Sequence, residues 1–511
     1  LIGVKERREA TTENRLMELG RTSGVLLHPT SLPGAFGVGD LGAQAREFVD
    51  CLVAAKQHWW QILPLNPTDG SGSPYASYSA FAGNPMLIDL RPLVEKGWLQ
   101  EGDLVALKDF ADSEADDRAN IAALTPLKMK VLGLAHANHN ADAQVAAYRK
   151  EHKGWIEDVA LFSALKAHFG DRSWKDWDAA LVARDPKAIA AAKQKHAEAM
   201  DFVVFCQWLF DTQWSELRAY ANERGVRIIG DLPIFVAMDS ADVWSERSWF
   251  QVGSLGEAAE VAGVPPDYFS ETGQKWGNPL YDWAALKNDG FDWWIRRIRR
   301  AMSQCDLVRI DHFRGFESFW AVPESAPNAI QGEWRKGPSD SFFAAIKDAL
   351  GEVPFIAEDL GIITPEVSEL RDRQQLPGMK ILQFAFDGSP DHPFLPHTYP
   401  TRCVAYTGTH DNDTSLGWYE SLREEEKHLV RTYLSHGDDG IVWAMIESVA
   451  ASKAELVVFP LQDILELDAD SRMNIPGTSS GNWGWRVSAS QLKNAKAFSH
   501  LAQITEKVGR S

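Results

Sequence analysis

Cysteine is scarce, with four residues in 511, Cys51, Cys206, Cys305 and Cys403, widely scattered and without a C-x-x-C pair. That excludes a disulfide-stapled secreted scaffold and the common zinc or dithiol frameworks, and the four read as ordinary buried thiols in a reducing compartment. Long apolar runs are missing as well. No stretch approaches the ~20 apolar residues that span a bilayer, and residues 1–21 are polar and of mixed charge, without the apolar core of a signal peptide. A cytoplasmic protein that makes no use of a membrane is the expectation. Basic residues are outnumbered, 52 Lys and Arg against 71 Asp and Glu, for a net charge of -19. No basic face is easily assembled against that background, which argues against nucleic acid as a partner. Also absent are a G-x-G-x-x-G fingerprint at the first βα turn, a G-x-S-x-G nucleophile elbow, and a second histidine at metal-ligand spacing from His410. The chain is therefore expected to need no metal and no organic cofactor.

What is present is a large core, 45% apolar residues, and 20 tryptophans. Aromatic faces pack cores, but they also stack on the apolar faces of sugar rings, so an acidic, tryptophan-rich chain leans towards carbohydrate. Eight apolar segments read as strands: Ser23 to His28, Trp59 to Leu65, Val226 to Pro233, Leu307 to Asp311, Pro354 to Glu358, Met379 to Phe386, Cys403 to Thr407 and Leu456 to Gln462. Each pair is separated by at least one helical pattern. Buried strands alternating with helices imply parallel pairing, and eight units imply closure, so the fold class is α/β, a (β/α)8 TIM barrel, in preference to an open doubly wound sheet. From residue 86 to 222 the texture turns to Ala, Lys, Asp and Leu with helical periodicity and no strand. This predicts barrel strands 1 and 2 in residues 1–85, a large helical insertion over 86–222, and strands 3 to 8 in 223–511. The Gly- and Pro-rich stretch near 252–283, containing Ala262 to Tyr268, reads as a structured loop, either a lid over the barrel mouth or surface padding.

The stretch that organises the rest is Asp306-Leu307-Val308-Arg309-Ile310-Asp311-His312-Phe313-Arg314-Gly315, a buried strand ending in ionisable groups. Arg309 and Asp311, two residues apart on a strand, point the same way, which in a barrel is inward. The cation is expected to hold Asp311 ionised, as a nucleophile requires; a buried pair closing a strand is the competing account. Further acids end other strands: Asp231, Glu358, Asp387 and Asp411. Active-site groups of barrels sit at these C-terminal strand ends, so the acids are expected to converge on one mouth. Converging carboxylates fit glycosidic bond chemistry, one attacking the anomeric carbon and another, kept protonated, donating to the departing oxygen. Glu358 follows Phe355-Ile356-Ala357, and apolar neighbours with nearby negative charge would raise its pKa, as a proton donor requires. His410 is expected to hydrogen-bond a sugar hydroxyl or to cap a strand end.

Taken together, Gly24-Val25-Leu26-Leu27-His28-Pro29-Thr30-Ser31-Leu32-Pro33, Ser73-Pro74-Tyr75, Ala82-Gly83-Asn84-Pro85, Gly230-Asp231-Leu232-Pro233, Lys275-Trp276-Gly277-Asn278-Pro279, Arg309-Ile310-Asp311-His312-Phe313-Arg314, Ala357-Glu358-Asp359-Leu360-Gly361 and Thr409-His410-Asp411-Asn412 resemble the 4-α-glucanotransferases, or amylomaltases, of glycoside hydrolase family seventy-seven. Asn474-Ile475-Pro476-Gly477-Thr478 with Asn482-Trp483 resembles that family's second cleft loop, near 472–485. The resemblance implies transfer of a segment of an α-1,4-glucan to the 4-hydroxyl of glucose or a maltooligosaccharide by retaining double displacement. It implies Asp311 as nucleophile, Glu358 as general acid/base and Asp411 as transition-state stabiliser. Arg309, His410 and Asp231 would bind the sugar at the cleaved bond, Tyr75 would stack on it, and Trp276 would line the acceptor side. Ser73, Gln274, Asp387 and Asn482 would be further glucan contacts. An α-amylase-like hydrolase would use the same acids with water as acceptor, and a non-catalytic glucan-binding barrel would dispense with Glu358.

Overall fold

The computed structural model describes residues 19–266, 270–478 and 480–511. Among the described residues twelve strands are formed: β1 Thr22–Leu26, β2 Trp59–Gln61, β3 Arg227–Pro233, β4 Glu260–Val264, β5 Gln274–Pro279, β6 Leu307–Asp311, β7 Ser318–Pro323, β8 Glu333–Lys336, β9 Phe355–Ala357, β10 Gly378–Ile381, β11 Cys403–Tyr406 and β12 Leu456–Pro460. Eight of them pair in parallel in the order β10-β11-β12-β1-β2-β3-β6-β9. The two ends of that row meet where the Ala357 amide donates to the Pro377 carbonyl at 2.9 Å. The sheet therefore closes into the (β/α)8 barrel. Closure leaves no strand edge to water, and the strands are apolar on both faces because both are covered; every residue of β11 and β12 is buried. Packing at the wall is close enough that a Cβ on Gly24 would lie 2.5 Å from the Trp59 carbonyl oxygen.

Between β2 and β3 the described chain forms no strand: its elements are helices and short 3-10 turns, with isolated bridges at Thr68–Ser77 and Arg118–Trp485, and it ends in the 27-residue helix Ala197–Glu223. Two glutamines fix that helix to the segment following the β2 loop. Gln207 accepts from the Gly83 amide at 2.7 Å and donates to the Gly83 carbonyl at 2.8 Å. Gln213 repeats this at Asp89, at 2.8 and 2.9 Å. Each satisfies a buried amide and carbonyl that no strand partner reaches, and the pairs anchor the far end of the loop that carries Tyr75.

Two features depart from the reading of the sequence. The stretch 252–283 is more than a loop: β4 and β5 pair antiparallel and extend through β7 to β8 as a second, four-stranded sheet. Its small core is Val261, Val322, Ala326 and Ala329. Asp267 and Tyr268, part of that stretch, lie outside the described residues, as does most of the N-terminal segment 1–21. Secondly, no α-helix separates β10 from β11; only the 3-10 turns Leu382–Phe384 and Pro396–Thr398 stand there. The tryptophans mostly serve packing, and seven of them, Trp59, Trp60, Trp174, Trp214, Trp244, Trp293 and Trp294, are among the largest fully buried side chains. Among the described residues no helix is long and apolar enough to cross a membrane.

Candidate active site

Register brings the first charged group together. β3 and β6 pair with Asp231 beside Arg309 and Pro233 beside Asp311, so the Asp231 and Arg309 side chains enter the barrel side by side at its C-terminal end. Arg309 Nη1 lies 2.8 Å from both Asp231 oxygens, and Nη2 lies 2.8 Å from Asp311 Oδ1. The Tyr75 hydroxyl donates to Asp231 Oδ2 at 2.5 Å. Asp231 is wholly enclosed, and its carboxylate reaches Arg309 and Tyr75. Asp311, with 29% of its side chain exposed, opens towards the mouth. Below them the barrel interior is floored by Tyr406, whose hydroxyl donates to Gln61 Oε1 at 2.9 Å.

Glu358, one residue beyond β9, is tied to the strand end that carries Asp311. His312 takes a left-handed backbone with φ of 56°, an unusual conformation for a residue with a side chain and one that recurs at functional sites. Its amide donates to Glu358 Oε2 at 2.7 Å, while the Leu360 amide donates to Oε1 at 2.9 Å. Both oxygens are thus aimed by backbone. Asp411, beyond β11, is held from the other side of the mouth: Asn474 Nδ2 donates to its Oδ1 at 2.7 Å, Arg472 Nη2 donates to its carbonyl at 2.8 Å, and His410 Nε2 lies 3.5 Å from Oδ1.

Burial and mutual charge shift the acids. Burial pushes Asp311 up to about 6; Arg309 opposes this, and Asp231 and Asp411 add to it. Burial likewise pushes Glu358 up to about 7, with Arg309 again opposing, Asp311 raising, and the Leu360 and His312 amides lowering. The expectation that Arg309 would simply hold Asp311 ionised is corrected in direction. The guanidinium is shared with Asp231, so it does not offset the loss of water around a second carboxylate. For Glu358 the expected upward shift is found. The Tyr75 phenol is raised well above its ordinary value by burial and then by Asp231, so it stays a neutral donor.

An aromatic wall completes the cluster. Tyr75 stacks on His410 with ring centroids 5.3 Å apart and planes at 14°, and Trp483 lies 5.8 and 6.0 Å from the two. Trp276 on β5, 39% exposed, meets the His312 ring edge-on at 4.9 Å. Contacts therefore gather Tyr75, Asp231, Arg309, Asp311, Glu358, His410, Asp411 and Trp276. The remaining candidates have local partners. Ser73 Oγ accepts from the Tyr75 amide at 3.3 Å, and Gln274 Oε1 accepts from the Trp276 indole at 3.2 Å. Asp387 accepts from the Ser389 amide at 2.8 Å, and Asn482 braces its own loop through the Ile475 amide and Thr478. Four residues of this arrangement had been given no role: Asn474, Arg472, Trp483 and His312. The first three sit in the turn-rich stretch 472–485, the one local signal for them, and His312 adjoins the R-x-D motif. Among the described residues no three His, Cys, Asp or Glu side chains are placed to hold a metal ion.

A family model described as 4-alpha-glucanotransferase matches residues 27–492. The chain belongs to the 4-alpha-glucanotransferase family. It is 49% identical to the 4-alpha-glucanotransferase of Thermus thermophilus over 504 residues, which cover 96% of this chain and all of that one. It is 47% identical to the 4-alpha-glucanotransferase of a Synechocystis species over 500 residues, 96% of this chain and 98% of the relative. The fold superposes on an amylomaltase from Streptococcus agalactiae, solved in complex with acarbose, with a TM-score of 0.93 and 38% identity, covering 96% of this chain and all of that one. Membership makes the chain a transferase acting on α-1,4-glucans, and the family works with retention of configuration at the anomeric carbon.

Proposed function

We propose that Asp311 is the nucleophile, Glu358 the general acid/base and Asp411 the transition-state stabiliser of this transfer. The observation that carries the reading is the backbone link that follows Asp311 and grips Glu358: two acids are held together at adjacent strand ends. In the first half-reaction Asp311 attacks C1 of the glucan and the C1–O4 bond breaks. Glu358 gives its proton to the departing oxygen, leaving a glucosyl ester on Asp311. In the second, Glu358 takes the proton of an incoming 4-hydroxyl, whose oxygen attacks C1 and releases Asp311. Arg309 and His410 bind the sugar at the cleaved bond and Tyr75 stacks on it; Asp231, expected to bind that sugar with them, is wholly enclosed and acts on it through Arg309 and Tyr75, which it holds at the floor. Trp276 lines the acceptor side, and Ser73, Gln274, Asp387 and Asn482 are outer glucan contacts. Acarbose, bound by the Streptococcus agalactiae relative, is expected to occupy the same mouth here.

Glucose and maltooligosaccharides are the acceptors in this reading. Maltotriose alone should yield glucose and longer chains while the number of reducing ends stays constant; a rising number would make water the acceptor and the enzyme a hydrolase. The rate should also report the two acids. Asp311 must be ionised, with a pKa near about 6, and Glu358 protonated, with one near about 7. The kcat/KM of maltotriose should therefore fall on the acid side as Asp311 gains its proton and on the alkaline side as Glu358 loses its own, giving a narrow bell with its summit between the two. A profile flat from pH 5 to 9 would contradict that assignment. We further infer a division into a barrel, residues 1–85 and 223–511, and a helical insertion, 86–222, with cleft-covering segments near 252–283 and 472–485. The four cysteines are free thiols, which suits work in the reducing cytoplasm, and the acidic charge suits a partner that is neither nucleic acid nor membrane.

A further inference from the structure

His28 lies two residues beyond β1, at the same end of the barrel as the acids, and no step above uses it. Its ring is buried, and among the described residues its Nδ1 has no hydrogen-bond partner; the Nδ1 of His410, also buried, has none among them either. Both residues line one cavity of mixed apolar and polar character, with Thr409, Asn412, Asp413, Gln462 and Arg472 among its polar members and about 20 Å³ of room for water. A single water needs roughly 10 to 15 Å³ and two to four polar partners. A buried ring nitrogen left without a partner is costly, and two of them on one small cavity call for a shared one.

Tyr75 stacks on the His410 ring and fixes its plane. Stacking cannot choose between the two flips of that ring, which exchange Nδ1 with a carbon, nor between the two tautomers. The Asp411 carboxylate 3.5 Å from Nε2 favours a proton there, and an in-plane hydrogen bond at Nδ1 fixes the same flip and tautomer from the other side of the ring. We propose that His28 is a positioning residue for His410, holding a water in the shared cavity that donates to His410 Nδ1, so that His410 keeps its proton on Nε2 and presents it to the glucose unit beside Asp411. Burial pushes His28 down to about 3, with His410 the next cause, so it serves as a neutral ring with one donor and one acceptor. The inference rests on the proposed role of His410 at the sugar.

The test is ring-nitrogen NMR of the ligand-free enzyme labelled in histidine, with the His410 signals assigned by their loss in His410→Asn. The wild-type enzyme should show His410 as the Nε2–H tautomer; an Nδ1–H tautomer overturns the proposal without any variant at position 28. In His28→Phe the tautomers should mix, and kcat for maltotriose should fall about ten- to hundredfold through misplacement of one polar group. His28→Gln, which keeps a donor and an acceptor at the cavity, should restore most of both. His410 signals in folded His28→Phe identical to wild type overturn the proposal. Altered signals with unchanged kcat uphold the link between the rings and overturn instead the role of His410 at the sugar.

Discussion

Asp311→Ala is expected to lower maltotriose disproportionation by on the order of 10⁴-fold or more while leaving a folded barrel. Glu358 and Arg309 stay in place, so proton donation and charge remain available, but no atom is left to hold the anomeric carbon between the two half-reactions. Water entering from that side would invert the configuration, and the segment would be lost to hydrolysis. The fold should tolerate the change because the carboxylate faces the mouth and makes one ion pair, whereas Arg309 keeps both contacts to the enclosed Asp231 at 2.8 Å. Removing one of several crowded acids also relieves repulsion felt at Glu358. Glucose release from maltotriose and thermal melting by circular dichroism check both halves. Rates within tenfold of wild type in a folded variant would take Asp311 out of the mechanism.

The parallel barrel was legible because its strands are buried on both faces: runs such as Leu456-Val457-Val458-Phe459 need no long-range information to be recognised. The acids were legible for the complementary reason, since a carboxylate closing such a run is costly unless it is used. The second sheet was not. β5 reads Gln-Lys-Trp-Gly-Asn-Pro, without alternation, and its sheet exists only because β4 meets residues some sixty positions away, as Gly263 meets Trp320. The direction of the Asp311 shift failed likewise. Nothing local to Arg309-Ile310-Asp311 reveals that β3 will deliver Asp231 to the same guanidinium. Asn474, which fixes Asp411 from a distant part of the chain, is a third case of a partner chosen by the fold. The tryptophans leaned the reading towards sugar, and the family bears that out, although the greater number pack the shell and few, Trp276 among them, face outward.

Glu358→Gln should separate the two half-reactions. With maltotriose its rate should drop by about 10³-fold or more, in the range of a lost general acid and base. With α-maltosyl fluoride the first half needs no proton: the C1–F bond breaks, Asp311 bonds to C1, and fluoride leaves unaided. The second half still lacks a base for the incoming 4-hydroxyl, so a maltosyl ester on Asp311 should accumulate and appear as a mass increment on the intact protein. The same substitution should change stability in a pH-dependent way. Burial lifts Glu358 from an ordinary 4.5 to about 7, so the folded chain holds a proton that the unfolded chain releases across that interval. Folding of the wild-type enzyme therefore loses stability as pH rises from the lower value to the upper, and the loss is complete above about 7. Glutamine carries no charge to bury. Its nitrogen cannot accept from a backbone N–H as the second carboxylate oxygen does, a cost present at every pH, so the melting point of the variant relative to wild type should rise from pH 4 to pH 8. An absent ester together with a melting-point difference that does not change between pH 4 and pH 8 would show that position 358 neither serves the acceptor hydroxyl nor opposes folding when ionised, and the division of labour between the two strand-end acids would have to be abandoned.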